Sequence, residues 1–364
     1  MDRHRAWGYQ RHSSIIRPKL DLFSLGTCFF WCGSTSGPRL DEIDYSLDDT
    51  FLFGRRLGHG RLSEVRHAIQ RSDRNSMALK CVRRLRLTEE QEACVMEEVA
   101  VLSRLSHPNI VRLVDFHSRP DHHYLVLDLL DGGELIDSLV RRETYTEADA
   151  HCIITTLLGA MAYAHNRGVV HRNLCPEKLL LVGGVGARAR GETESEGFTS
   201  AAMDWAAQLR ITGWGLAKRL PQDGEVPSGD SYYGFAHGFI APEVIEGDPF
   251  RPPADVWSLG SISHLLLTGA QPHVASTRRG RESMTKAWEA VSNEAATMVS
   301  SMLENDPKRR VTVEEVLRNP WARGGWGFGE CKLREHSLAS TVLPALRLSQ
   351  WQGTMVSDPG KPGR

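Results

Sequence analysis

The strongest constraint on the fold is the order in which several weak local patterns occur. Residues 51–87 alternate apolar and polar positions in short runs, broken by Gly58, Gly60 and the turn Ser72-Asp73-Arg74-Asn75, which predicts a strand meander. Between two of those strands lies Gly58-His59-Gly60-Arg61-Leu62-Ser63-Glu64-Val65. Residues without a Cβ let a backbone approach a phosphate closely, although such a loop alone is more often an ordinary hairpin. Met77-Ala78-Leu79-Lys80 then reads as a buried strand ending in a lysine. A lone strand lysine usually snorkels to the surface. This one has an acidic candidate partner, Glu98, on the next element. Residues 88–105 predict a helix, with Thr88 as its N-cap and Val95, Val99, Leu102 and Leu105 as its apolar stripe. His107-Pro108-Asn109 ends it, and residues 110–116 and 124–130 read as two further strands.

The second half changes character. Residues 135–139, 146–165, 254–267 and 293–303 read as helices, with Gly168 and Gly269 as stop signals. The predicted class is therefore α+β and two-lobed: a small antiparallel β lobe with one main helix, then a larger, mainly helical lobe. The expected boundaries are a flexible extension over 1–44, a folded domain over 45–322 dividing near 130/131, and a tail over 323–364. Residues 183–208 are rich in Gly, Ala, Glu and Ser and read as an irregular, solvated insert.

Composition excludes some classes. Lys+Arg 44 against Asp+Glu 45 leaves a net charge of -1, so no global field favours nucleic acid or an anionic membrane. The apolar run from Leu20 to Cys32 is too short to span a bilayer and contains Asp21. Cysteines 28, 32, 81, 94, 152, 175 and 331 are scattered and odd in number, which suits reduced thiols and a cytoplasmic location better than a disulfide framework.

Five more patterns follow in order. They are His171-Arg172-Asn173-Leu174-Cys175-Pro176-Glu177-Lys178-Leu179-Leu180-Leu181, Gly213-Trp214-Gly215, Ala241-Pro242-Glu243, Asp255-Val256-Trp257-Ser258-Leu259-Gly260 and Asp306-Pro307-Lys308-Arg309-Arg310. Together with the glycine loop and Lys80 they resemble the ordered motifs of protein kinases. Ser63, His107-Pro108-Asn109-Ile110-Val111 and Asn319-Pro320-Trp321 resemble the calcium/calmodulin-dependent group in particular.

The resemblance implies roles position by position. Leu57, Gly58, Gly60, Val65, Ala78, Leu127, Asp128, Leu130, Glu134 and Leu180 would surround ATP, with Leu127 as gatekeeper and Glu134 near the ribose. Lys80 and Glu98 would form the lobe-coupling ion pair. His171, Arg172, Glu243, Asp255 and Arg310 would brace the helical lobe. Leu102, Leu113, His171 and Trp214 would stack as an internal column. In active kinases a catalytic-loop Asp accepts the substrate proton, and a downstream Asn and the triplet's Asp hold magnesium. Here those positions carry Asn173, Lys178 and Gly213, and Cys175 replaces a lysine that aids the phosphate. Asn173 is no carboxylate base, and neither Lys178 nor Gly213 supplies the hard oxygen that magnesium requires. Ala236 stands where the family usually has Thr, and the stretch between Pro272 and Trp288 is short.

Two functional classes follow. One is a pseudokinase acting as a scaffold or allosteric regulator, able to bind ATP without metal and not expected to bind magnesium normally. The other is an atypical Ser/Thr kinase. Protein partners in a signalling complex are expected in the first case. The apolar tail residues Leu333, Leu338, Val342, Leu343, Leu346, Leu348 and Trp351 make calmodulin a candidate partner, although Pro344 would break a helix there.

Overall fold

The computed structural model describes residues 47, 49–60, 62–142, 145–183, 205–220, 238–272, 288–324 and 342. In the small lobe, β1 (Phe51–His59), β2 (Ser63–Gln70) and β3 (Ser76–Arg83) precede α1 (Glu89–Leu102). The strands β4 (Leu113–Ser118) and β5 (His122–Asp128) complete one antiparallel sheet of order β1-β2-β3-β5-β4.

Strand β3 shows why its lysine is not a surface residue. Side chains alternate faces along a strand. Met77, Leu79 and Cys81 join Leu47, Phe51, Ala68, Tyr124 and Val126 in an outer cluster. Ala78 and Val82 enter the main core with Val101 and Leu102 of α1. Lys80 shares the parity of Ala78 and Val82, so it points into the face that α1 covers.

Thr88 caps α1 reciprocally: its hydroxyl accepts from the Gln91 amide, and the Gln91 side chain accepts from the Thr88 amide. The helix ends at Leu102 rather than at Leu105. Residues 103–105 tighten into i→i+3 turns, with the Arg104 and Leu105 amides bonded to Val101 and Leu102 carbonyls, as the chain approaches Pro108. The next strand begins at Leu113 rather than at 110, because Ile110 bridges to Ile211 of the large lobe instead. Strand β5 runs from His122 to Asp128, two residues earlier than the expected span at both ends.

The large lobe contains α2 (Leu135–Arg141), α3 (Glu147–His165), β6 (Val169–Val170), β7 (Leu179–Leu181), α4 (Trp205–Gln208), β8 (Leu209–Ile211), β9 (Lys218–Arg219), α5 (Pro242–Ile245), α6 (Pro252–Thr268), α7 (Asn293–Met302) and α8 (Val313–Leu317). Strand β6 pairs with β9 and β7 with β8, two short ribbons that carry the loops below the sheet. Helix α6 is buried on nearly every face, as suits a helix that is apolar all round. Two prolines open it, and Gly269, at φ 74, closes it.

The insert expected over 183–208 is not wholly irregular. Residues 205–208 are helical, because Trp205 is fully buried, donates to Asp149 at 3.2 Å and lies under the Arg142 guanidinium. Most of the remaining insert, the 1–44 extension, Ala236, the stretch between Pro272 and Trp288 and the tail apart from Arg323, Gly324 and Val342 lie outside the described residues. Val342 is itself buried in the main core.

Candidate functional site

A cleft separates the lobes. Leu57, Gly58, Val65 and Ala78 line it from the sheet, Leu127, Asp128 and Leu130 from the connecting segment, and Glu134 and Leu180 from the helical lobe. Its cavity volume is about 90 Å³, several times the roughly 10–15 Å³ that one water needs. A mostly apolar slot closed by a few polar groups suits a planar ring with a polar tail. Glu134 is held at the slot's edge by a β-bridge to Leu180. Burial, reinforced by the charges of Asp137 and Glu177 and opposed by Lys178, pushes the Glu134 carboxyl up to about 7.

Sequence reasoning missed Val111, Glu177 and Thr212, which also line this cleft. Thr212 directly precedes Gly213, and Glu177 directly precedes Lys178, so neighbourhood to a motif was the available signal. Of the expected set, Gly60, Lys80, Asn173, Cys175 and Lys178 do not themselves form the lining among the described residues.

Lys80 stands just behind the lining. Its Nζ donates to both carboxylate oxygens of Glu98 at 2.8 and 2.6 Å, and both side chains are buried. Glu98 follows from the period of α1, which places it beside Val101 and Leu102 on the inward face. The neighbouring Glu97 binds Arg219 of β9 through two contacts of 2.9 and 2.7 Å, tying α1 to the segment after the triplet.

Below the cleft, Asp255 organises the loop between β6 and β7. Its Oδ2 accepts from the His171 amide and from His165, and its Oδ1 from the Arg172 amide, all within 3.0 Å. These bonds hold Arg172 at φ 70, a left-handed conformation uncommon for a side chain of its size. Burial would raise the Asp255 pKa, but the His165 hydrogen bond, the flanking charges and the His171 amide together hold it below the usual carboxylate value.

His171 is wholly buried against Trp214, with ring centroids 4.6 Å apart. Its Nε2 donates to the Thr212 carbonyl, and its Nδ1 accepts from the Asn173 amide. The Nδ1 bond requires the neutral ring, protonated on Nε2. Burial is the main reason its pKa falls to about 4, partly offset by Asp255. Leu102 belongs to the same core as Trp214, and the partly buried Leu113 packs against that core.

A pH dependence follows. Above about pH 6.5 the ring is neutral in both the folded and unfolded states and contributes no slope. Between about 6.5 and 4 the unfolded chain takes up a proton that the fold excludes, so stability falls on acidification by about 3 kcal/mol in total. Denaturant titrations at pH 7.5 and pH 5 should show about 2 kcal/mol more acid loss in the wild type than in His171→Gln. Equal losses would refute the burial of a neutral His171.

The position that would hold the phosphates' metal is the most altered. Gly213 has φ 79 and ψ 36. A Cβ built on it would lie 2.6 Å from Cδ and 3.0 Å from Cε of Lys178. The Lys178 stem therefore fills the space that a side chain at 213 would occupy, and its residue is 1% exposed. Magnesium takes near-octahedral oxygen ligands at about 2.0–2.1 Å. A glycine and an ammonium group provide no such ligands, so these two positions do not fit the ion.

Residues 51–322 match the family description "Protein kinase domain". The chain is 35% identical over 294 residues to human calcium/calmodulin-dependent protein kinase type 1B, covering 78% of each chain. It is 34% identical over 284 residues to calcium/calmodulin-dependent protein kinase type II of Caenorhabditis briggsae, covering 75% of this chain and 49% of that one. With the two lobes and the cleft between them, these matches show that the chain belongs to the protein kinase family, with a kinase domain of the calcium/calmodulin-dependent type.

Proposed function

We propose that this protein is a pseudokinase: it binds nucleotide in the inter-lobe cleft without magnesium, transfers no phosphate, and acts on partner proteins as a scaffold or allosteric regulator. The observation that carries this reading is the buried Lys178 stem packed on Gly213. A cation and a bare α-carbon occupy the two metal-ligand positions, while the Lys80–Glu98 pair and the adenine-sized slot remain formed. The retained bracing by Asp255 and by the Glu243–Arg310 pair supports a fold kept for binding. The apolar lining supports ATP as the ligand, and the calcium/calmodulin-dependent relatives support signalling proteins as partners.

Thermal melting with ATP tests the binding part. ATP should raise the melting temperature in excess EDTA, and by no more when magnesium is present. Stabilisation seen only with magnesium would sink the metal-free reading.

A further inference from the structure

We propose that Lys178 and Gly213 form one unit, a built-in countercation that makes the cleft selective for metal-free nucleoside polyphosphate over its magnesium complex. This deepens the pseudokinase reading and rests on it. Single charge changes would be expected to act independently, but the structure couples these two residues sterically.

The left-handed backbone at Gly213 already favours glycine, with Asp and Asn tolerating that region better than most residues. A side chain at 213 would in addition meet Lys178, whose Cδ and Cε lie 2.6 and 3.0 Å from the place of a Cβ. Lys178 in turn is fixed from behind. Its amide donates to the Cys175 carbonyl, and its own carbonyl accepts from the amide and the hydroxyl of Thr212. Its stem is buried, so making room at 213 would require that stem to shift within the packed interior. A methyl group at 213 would displace the stem and move the ammonium it carries. Glycine at 213 is therefore what allows the lysine stem at 178 to pack where it does.

The ammonium's surroundings match that role. Gly213, Glu134 and Glu177 all line the cleft, and the charge of Lys178 acts on both Glu134 and His171. A triphosphate entering past Gly58 would reach Gly213, with the buried Lys178 stem packed behind it, and would lie in the same positive field that acts on Glu134. A divalent ion carried in with the phosphates would meet that same charge at short range, with no carboxylate at either position to hold it. The cation is thus supplied by the chain and excludes its competitor by repulsion.

The coupling is tested by calorimetric titration of ATP, in EDTA and in magnesium, into the full chain and three variants. Lys178→Asn should weaken metal-free binding about ten- to hundredfold, the loss of one charge-assisted contact. Gly213→Ala adds no charge, yet should weaken metal-free binding comparably. In the Lys178→Asn background it should have no further effect, because there is no ammonium to displace. Lys178→Asn/Gly213→Asp should bind ATP more tightly with magnesium than without it. Unchanged metal-free binding in Gly213→Ala, a double variant indifferent to magnesium, or a wild type that binds no ATP in EDTA would each overturn the proposal. Circular dichroism identifies any variant that fails to fold, and Lys178→Asn then carries the test by itself. Failure of the catalytic part of the pseudokinase reading is separable, because it would appear as phosphate transfer by the wild type; a wild type that binds no ATP in EDTA would overturn the metal-free reading as well.

Discussion

Arg310→Ala should lower stability by about 3–5 kcal/mol, the usual consequence of stranding one partner of a buried ion pair. Its guanidinium meets Glu243 in a two-pronged contact, Nη1 to Oε1 at 2.7 Å and Nη2 to Oε2 at 2.9 Å. The arginine side chain is 0% exposed and the glutamate 9%. The same guanidinium also donates to the Glu304 and Pro253 carbonyls, both at 2.8 Å, and lies over Trp257. Removal would therefore leave a buried carboxylate and two carbonyls without their donor. The loop before α8, the N-terminus of α6 and the start of α5 would all lose a common anchor. For a domain of this size the melting temperature should fall on the order of 10 °C. Arg310→Lys should recover only part of this, because an ammonium cannot reproduce the planar fork. A paired Arg310→Met/Glu243→Leu change should cost less than either Arg310→Ala or Glu243→Ala, since no charge is stranded. An unchanged melting temperature in Arg310→Ala would contradict the anchor.

Much of this anatomy is legible in the sequence because it depends on short-range periodicity. The period of two in Met77-Ala78-Leu79-Lys80-Cys81-Val82 and the period of 3.6 around Glu98 are enough to bring a lysine and a glutamate to one interior face. Thr88, Gly168 and Gly269 announce helix ends through local backbone chemistry. The failures come from tertiary contacts. Ile110 looks like strand β4 but bonds to β8, a hundred residues later. Trp205 sits in a stretch whose composition is that of a loop, and only its docking on Asp149 and Arg142 makes residues 205–208 a helix. At the site, charge arithmetic identifies Lys178 and Gly213 as poor metal ligands. It does not reveal that one fills the space vacated by the other, since no local pattern links positions so far apart in the chain.

The largest functional effect expected is the absence of phosphoryl transfer. A carboxylate general base contributes roughly 10²–10⁴-fold, and Asn173 cannot accept a proton in its place. Asn173 is also buried, and its backbone N–H donates to His171 Nδ1. The metal that would neutralise charge on the transferring group finds no carboxylate at 178 or 213, and Cys175 supplies no cation. These losses act on the same transition state, so a single reversion at 173 should leave transfer absent.

The direct measurement is transfer of labelled γ-phosphate from ATP by the purified full chain, to itself and to a general basic protein substrate. It should be made with magnesium, with manganese and with EDTA, beside Lys80→Ala. Label incorporation indistinguishable between the wild type and Lys80→Ala in all three conditions is the predicted result. Metal-dependent incorporation by the wild type that Lys80→Ala abolishes would contradict the account.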